Sequence, residues 1–530
     1  MYDILIENGQ VIDGTGAPAY QADVAISGDT VVATGKGLEV RAARTIDASG
    51  LAVTPGFIDL HSHSDFQFFI DPAADSKVTQ GVTLELVGNC GLSFCAPLTG
   101  ASREDLDTRV AWYDTKWRPA WTTFAGYMDA LDKTGKTLNV VTQVGHGTVR
   151  KAVLGMETRA PDSGELKRMQ ALVAEALDAG AFGFSTGLSM APGVYSTTAE
   201  VIALAEPAGK RGKLYSTHKR DSGDEGAGLF VALAEAIEVG RRTGARVQVS
   251  HLKCNGPTRG RAAEVLRMIE DARREGLDVA ADQYPYTAAS GPMSGNVYPR
   301  WALEGGRARA LERAKDADLR AEIRAHLAER TRSIGGPDRL MVASYPPERR
   351  FEGMTVEAIA RDMKCDPAEA LVRLYERYDT QLILSGMAEA DVDVIAAHPV
   401  VAVASDGVSL KSTGPLSSGS PHPRSYGTFP RFFARMVRAK KAVTLEDAVR
   451  KMTSLPAQRL GLTRRGRLAP GYFADIVVLN PGAIEDRATF EKPHQYSAGI
   501  EHVLVNGVAA VSGGKPTGGT PGRVIRTPGN

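Results

Sequence analysis

Residues 55–65 read PGFIDLHSHSD, a short apolar run of Phe57, Ile58 and Leu60 that ends in His61-Ser62-His63. Side chains alternate along a strand, so two histidines separated by one residue project to the same side. Two neutral imidazoles at the end of a buried strand make half of a metal site. The same spacing also occurs in ordinary loop histidines, so the rest of the chain has to decide between the two.

Downstream, the hydrophobic period switches repeatedly between helix and strand. Leu166, Met169, Val173 and Leu177 share one helical face, Leu229, Leu233 and Ile237 a second, and Val265, Met268, Ile269 and Ala272 a third. Each helix is followed by a glycine and then by an apolar run: AFGFSTG, RVQVSH and LDVAAD. Strands that alternate with helices in this way indicate parallel β/α units. Strand candidates end near His61, Val87, Val144, Thr186, His218, His251, Asp282 and Ser405. Eight such units close a (β/α)8 barrel. The alternative, an open doubly wound sheet, lacks a glycine-rich phosphate fingerprint after the first strand.

The chain ends read differently. Ile4 and Ile6 alternate before Asn8-Gly9, a hairpin-turn dipeptide, and Val24 and Ile26 precede Gly28-Asp29. GYFADIVVLN and EHVLVNGVAAV repeat the pattern near the C-terminus, the second turning at Asn506-Gly507. The expected organisation is an α/β chain with a TIM-like barrel over 55–465. A small β-sandwich is built from 1–54 and 466–530, and a helix-rich insertion at about 287–344 covers the barrel mouth. The Gly/Ser/Pro-rich stretch 412–430 reads as a loop on the catalytic face.

With 63 basic and 62 acidic residues the net charge is +1, which gives no footprint for nucleic acid or an anionic membrane. The start, MYDILIENG, lacks the basic and apolar regions of a secretion signal, and no apolar run approaches a membrane span. Four cysteines in 530 residues make no disulfide framework, so a reducing, cytoplasmic setting is expected.

Six polar residues fall at the ends of the strand candidates, where a barrel places its catalytic groups: His61, His63, Cys90, His218, His251 and Asp406. Singly, each has a structural explanation; six together indicate a metal site. A thiolate at Cys90 with imidazoles at His218 and His251 suits zinc, which lowers the pKa of bound water to about 7. Asp406 beside it is a candidate general base that returns its proton to a leaving amine. The set suits amide hydrolysis.

Ordered segments along nearly the whole chain carry a resemblance. They include PGFIDLHSHSD, QGVTLELVGNCGLS, GFSTGLSMAPGVYS, THKRD, VSHLK, DQYPY, ASDG and HPRSYGTFPR. The chain resembles the amidohydrolase superfamily and, within it, the D-aminoacylase (N-acyl-D-amino-acid deacylase) group. The resemblance implies a zinc hydrolase that converts a small N-acyl-D-amino acid to a carboxylic acid and a D-amino acid. It implies one tightly held zinc on Cys90, His218 and His251, and a second, weaker position lined by His61, His63 and Asp406. It also implies substrate contacts from Lys253, Tyr284, Tyr195 and Ser290.

Lys219 departs from the group's pattern, which has methionine after the histidine; it either adds charge beside His218 or points away. Arg220 is expected to bind an acidic substrate group or to pair with Asp221 or Asp224. His146 and Arg150 follow a strand without an assigned role, and Cys95, Cys254 and Cys365 carry no assigned chemistry. Two alternatives stay open: the same scaffold acting on another N-acyl amino acid, a D-residue dipeptide or a cyclic amide, and a non-catalytic relative that has lost its ligands.

Overall fold

The computed structural model describes residues 1–38, 41–94, 97–113, 115–221 and 228–527. Eight parallel strands form the barrel: β1 (Phe57–Asp59), β2 (Val82–Val87), β3 (Asn139–Gly145), β4 (Gly183–Gly187), β5 (Leu214–His218), β6 (Arg246–Val249), β7 (Val279–Gln283) and β8 (Val401–Val403). These are the eight runs expected from the sequence. Both faces of the strands are covered, which is why they read as continuous apolar runs instead of alternating ones. Ile58, Leu84, Val141, Leu214 and Ala402 share one core cluster. Phe57, Val140, Phe184, Tyr215, Val249 and Val403 alternate with them and pack with the surrounding helices. The helix Ser163–Asp178 opens on a capping box between Asp162 and Glu165.

Ladder pairing runs without a break from β1 to β8. The last seam, between β8 and β1, is closed differently. An isolated parallel bridge joins Ser62 to Gly407; the Asp406 amide donates to His61 O at 2.8 Å and the His63 amide to Gly407 O at 2.8 Å. Beneath it, fully buried Lys77 donates to Asp59 Oδ2 at 2.7 Å and to Ser405 Oγ at 2.8 Å, and lies 2.7 Å from Glu85 Oε1. The Ser405 amide donates to Asp59 Oδ1 at 2.9 Å. Burial opposes the ammonium charge, but the two carboxylates outweigh it and raise the Lys77 pKa above the ordinary lysine value.

The two chain ends join edge to edge. Ala52–Pro55 pairs antiparallel with Ile476–Leu479, so the expected sandwich halves form one continuous nine-stranded sheet. Ile476 and Val478 pack with Ile4, Ile6, Val24 and Ile26, whereas Val477 and Leu479 pack towards the barrel. Gly56 is the single residue between this sheet and β1; a Cβ there would meet Thr83 Oγ1 at 2.2 Å.

Four expectations are corrected. Asn8-Gly9 is not a turn: Tyr2–Val11 is one strand with a register shift there. At that point the strand passes from its partner Ala42–Asp47 to Ala52–Pro55, and the Asn8 amide is taken by Asp23. The insertion does not end near 344, because its three-stranded sheet (Ala288–Pro292, Leu340–Ser344 and Gln381–Ser385) and its own core continue through Leu384. The stretch 412–430 is not all loop: a helix spans Arg424–Phe432 because Tyr426, Phe429 and Phe432 bury one face despite Gly427 and Pro430. The C-terminal segment also leaves its sheet, bridging Pro521 to Lys136 and Val524 to Val140 at the start of β3.

Among the described residues no helix is long and apolar enough to cross a membrane. Lys77→Met leaves Asp59 and Glu85 buried without a cation, a loss expected to cost about 3–5 kcal/mol. Guanidinium unfolding measures it as a lowered midpoint; an unchanged midpoint would show that the seam holds without the lysine.

Candidate active site

The six residues predicted at strand ends converge at the C-terminal face of the barrel. His61 and His63 follow β1, Cys90 follows β2, His218 ends β5, His251 follows β6 and Asp406 follows β8. Three of them have left-handed backbones: Cys90 at φ 55°, His251 at φ 34° and Asp406 at φ 49°. Such angles are uncommon outside glycine and cluster at functional sites, where the surroundings hold them in place. At Cys90 the packing is tight enough that a Cβ on Gly187, at the end of β4, would meet Cys90 O at 2.1 Å.

The donor atoms form two groups that share the cysteine. Cys90 Sγ lies 3.4 Å from His251 Nε2, which is 2.9 Å from His218 Nδ1. On the other side Cys90 Sγ lies 3.3 Å from His61 Nε2. Asp406 Oδ1 is 3.1 Å from His63 Nε2 and 3.4 Å from His61 Nε2. Within each group the donor atoms all lie within 4.8 Å of one another.

The charge states differ between the two groups. Burial pushes the Cys90 thiol up, but the His61 and His251 rings facing it hold it well below the ordinary thiol value. Burial depresses His218 and His251, and the Lys253 charge depresses His251 further. Burial likewise opposes ionisation of Asp406, but the Arg424 guanidinium and the neighbouring histidines hold its carboxyl well below the usual range. Burial opposes charge on His61 and His63, but the Cys90 and Asp406 charges outweigh it, raising His61 well above the ordinary value and His63 to about 9. The thiolate and the depressed His218 and His251 already have the form a metal requires of its ligands, whereas an ion between His61 and His63 would displace protons. The residues present therefore fit a borderline-soft divalent ion, with Cys90 common to both positions.

Positioning residues that the sequence reading missed surround this set. Asp282 Oδ1 lies 3.1 Å from His61 Nδ1 and accepts from the His251 amide at 2.7 Å; Gln248 donates to its other oxygen at 2.9 Å. Ser189 Oγ is 2.7 Å from His218 Nε2. In both rings the far nitrogen is tied, which turns the other towards the donor cluster. Arg424 donates to Asp406 Oδ2 at 2.7 Å, so that Oδ1 is the oxygen on the histidine side. Asp282 lies in the DQYPY run and Arg424 in HPRSYGTFPR, both visible in sequence but without the spacing of a ligand.

The profile of the amidohydrolase family matches residues 44–511. N-acyl-D-glutamate deacylase from Alcaligenes xylosoxydans xylosoxydans is 38% identical over 526 residues, covering 99% of this chain and 96% of the relative. The chain belongs to the amidohydrolase family. D-aminoacylase from the same organism is 34% identical over 99% of this chain and 97% of its own length. Among solved structures, N-acyl-D-glutamate deacylase from Bordetella bronchiseptica matches with a TM-score of 0.83 at 35% identity, over 99% of this chain and all of that one. That protein is complexed with zinc and a phosphonate inhibitor, a mimic of the reaction tetrahedral intermediate.

The substrate-contact candidates of this amidohydrolase separate on inspection. Lys253 and Ser290 line the cleft above the donor cluster, with Ser344 and Gln381 from the insertion and His422 from the stretch before the helix Arg424–Phe432. Tyr284 is buried under the Arg424 guanidinium, 4.9 Å from its ring centroid, and its hydroxyl has no hydrogen-bond partner among the described residues. Tyr195 donates to Arg300 O at 3.1 Å. Lys219 is turned inward and buried; burial and the nearby Lys253 lower its pKa to about 8. Arg220 pairs with Glu235 at 2.8 Å, and Asp224 and Cys95 lie outside the described residues. His146 and Arg150 are both engaged by Glu200, at 2.9 and 2.6 Å.

Asp282→Ala removes the tie on His61 Nδ1 and the acceptor for the His251 amide. Metal affinity, measured by chelator competition, is expected to fall by about 10–100-fold. Unchanged affinity would show that the rings are held without it.

Proposed function

We propose that this amidohydrolase is a zinc-dependent deacylase that hydrolyses N-acyl-D-amino acids to a carboxylic acid and a D-amino acid. The observation that carries the reading is the convergence of Cys90, His218 and His251, with Asp406 alongside, on a chain whose full-length relatives are D-amino-acid deacylases. Cys90, His218 and His251 would hold the tighter zinc, and His61, His63, Cys90 and Asp406 line the second position. When bound, zinc supplies Lewis acidity to the amide carbonyl and activates water near neutral pH.

The chain's own residues do the rest. Asp406, ionised and held through Oδ2 by Arg424, accepts the proton of the attacking water on Oδ1 and delivers it to the amide nitrogen as the C–N bond breaks. Lys253, at the edge of the donor cluster, is the cation for the substrate's α-carboxylate, with Ser290 and the Tyr284 hydroxyl as further donors. Fixing the α-carboxylate and the scissile carbonyl at once selects one configuration at the α-carbon, so stereoselectivity follows from positioning. Four cysteines in 530 residues make no disulfide framework, which supports a cytoplasmic site of action.

Amine release from matched N-acetyl-D- and N-acetyl-L-amino acids tests this reading, with a chelated sample as control. Chelator-sensitive turnover confined to the D series is expected, and equal turnover of the L series would remove the D assignment. Asp406→Asn is expected to keep its zinc and lose about 10²–10⁴-fold in kcat. Near-wild-type turnover would exclude the proton-transfer role.

A further inference from the structure

One guanidinium in the cleft has no part in the chemistry above. Arg109, on the helix Ala101–Val110, lines the same cleft as Lys253 and the donor cluster. Its guanidinium carbon lies 5.2 Å from the ring centroid of Phe94 and 5.2 Å from that of Trp112, which fixes its plane and leaves its edge for hydrogen bonding. Its carboxylate neighbour is shared. Asp105 Oδ1 is 3.6 Å from Arg109 Nε, but Asp105 Oδ2 is held by Lys151 at 2.7 Å. One carboxylate is thus divided between two cations. Asp379, also near Arg109, is held by the Ser294 amide and hydroxyl, and burial raises its pKa.

Unused hydrogen-bonding capacity lines the same cleft. Arg109 Nε, Trp112 Nε1, Ser344 Oγ and Gln381 Oε1 are all buried without a hydrogen-bond partner among the described residues. Gln381 Nε2 meets Ser290 Oγ at 3.1 Å. The second N–H of that amide stays available to a ligand, while Ser290 keeps its hydroxyl proton for the α-carboxylate. Guanidinium, indole N–H, hydroxyl and amide N–H together make a donor-rich wall, and buried donors of this kind require an acceptor. Arg424 is committed to Asp406 and Lys253 to the α-carboxylate, so this wall is separate from both.

We propose that the cleft carries a second anion subsite, centred on Arg109 and completed by Trp112, Ser344 and Gln381, that receives a second carboxylate of the substrate. The inference rests on the deacylase reading and narrows its substrate class to dicarboxylic N-acyl-D-amino acids. The second carboxylate belongs either to an acidic side chain or to the far end of the acyl group. The planar fork of Arg109 matches either one in bidentate fashion.

Three substrates separate the possibilities: N-acetyl-D-glutamate, N-succinyl-D-methionine and N-acetyl-D-methionine, each assayed for kcat and KM on the zinc-loaded full chain. The expectation is that kcat/KM for one of the two dicarboxylates exceeds that for N-acetyl-D-methionine by about tenfold or more, and which one identifies the source of the carboxylate. In Arg109→Met the ratio of dicarboxylate to N-acetyl-D-methionine falls by about thirtyfold, mainly through KM, and Arg109→Lys, which keeps the charge, recovers part of it. A ratio unchanged by Arg109→Met, or a wild-type enzyme that turns over N-acetyl-D-methionine as well as both dicarboxylates, overturns the subsite and leaves the deacylase reading standing. No turnover of any of the three overturns both.

Discussion

The seam between β8 and β1 is the constraint on which the rest of this structure depends. A barrel needs its first and last strands to meet, and here they meet through the residues that carry the chemistry. The Asp406 amide reaches His61 O, and the His63 amide reaches Gly407 O. Closing the barrel therefore sets the spacing of His61, His63 and Asp406 in the same act. Lys77, bound to Asp59 and facing Glu85 directly beneath, makes the seam an ionic one with no water access. Buried ion pairs are costly to form, but they tolerate few alternative registers, which suits a place where a small slip would disperse the ligands.

Around that seam the site divides its work by charge. Cys90 stands between the two histidine groups and is held as a thiolate by the rings that face it. Asp406 is kept ionised by Arg424, and Asp282 and Ser189 turn individual rings towards the centre. Each feature alone is ordinary. Their convergence at the mouth of one barrel, in a chain related end to end to D-amino-acid deacylases, gives the site its reading.

The barrel and the donor set were legible in the sequence because both are periodic or positional signals. A run of β-rich apolar residues ending in His, Cys or Asp needs no tertiary information to be noticed. What was not legible depended on distant partners. Asn506-Gly507 and Asn8-Gly9 are the same dipeptide, yet only the first turns a hairpin, between Ile500–Val505 and Val508–Ser512. The second sits where a strand exchanges one neighbour for another. Lys77 lies on a four-residue helix and looks like a surface lysine until Asp59 and Glu85 are brought to it. The insertion reads short in the sequence because its closing strand, Gln381–Ser385, follows two helices that no local pattern links to it.

The site as proposed depends on a metal held through the Cys90 thiolate, with His218 and His251. Cobalt(II) titration of the metal-free protein tests it most directly, because a thiolate ligand gives a sulfur-to-cobalt charge-transfer band that nitrogen and oxygen ligands do not. This band is expected to saturate with the tightest cobalt equivalent and to be absent from Cys90→Ser. Tight cobalt binding without the band, or with a band that survives Cys90→Ser, would contradict it.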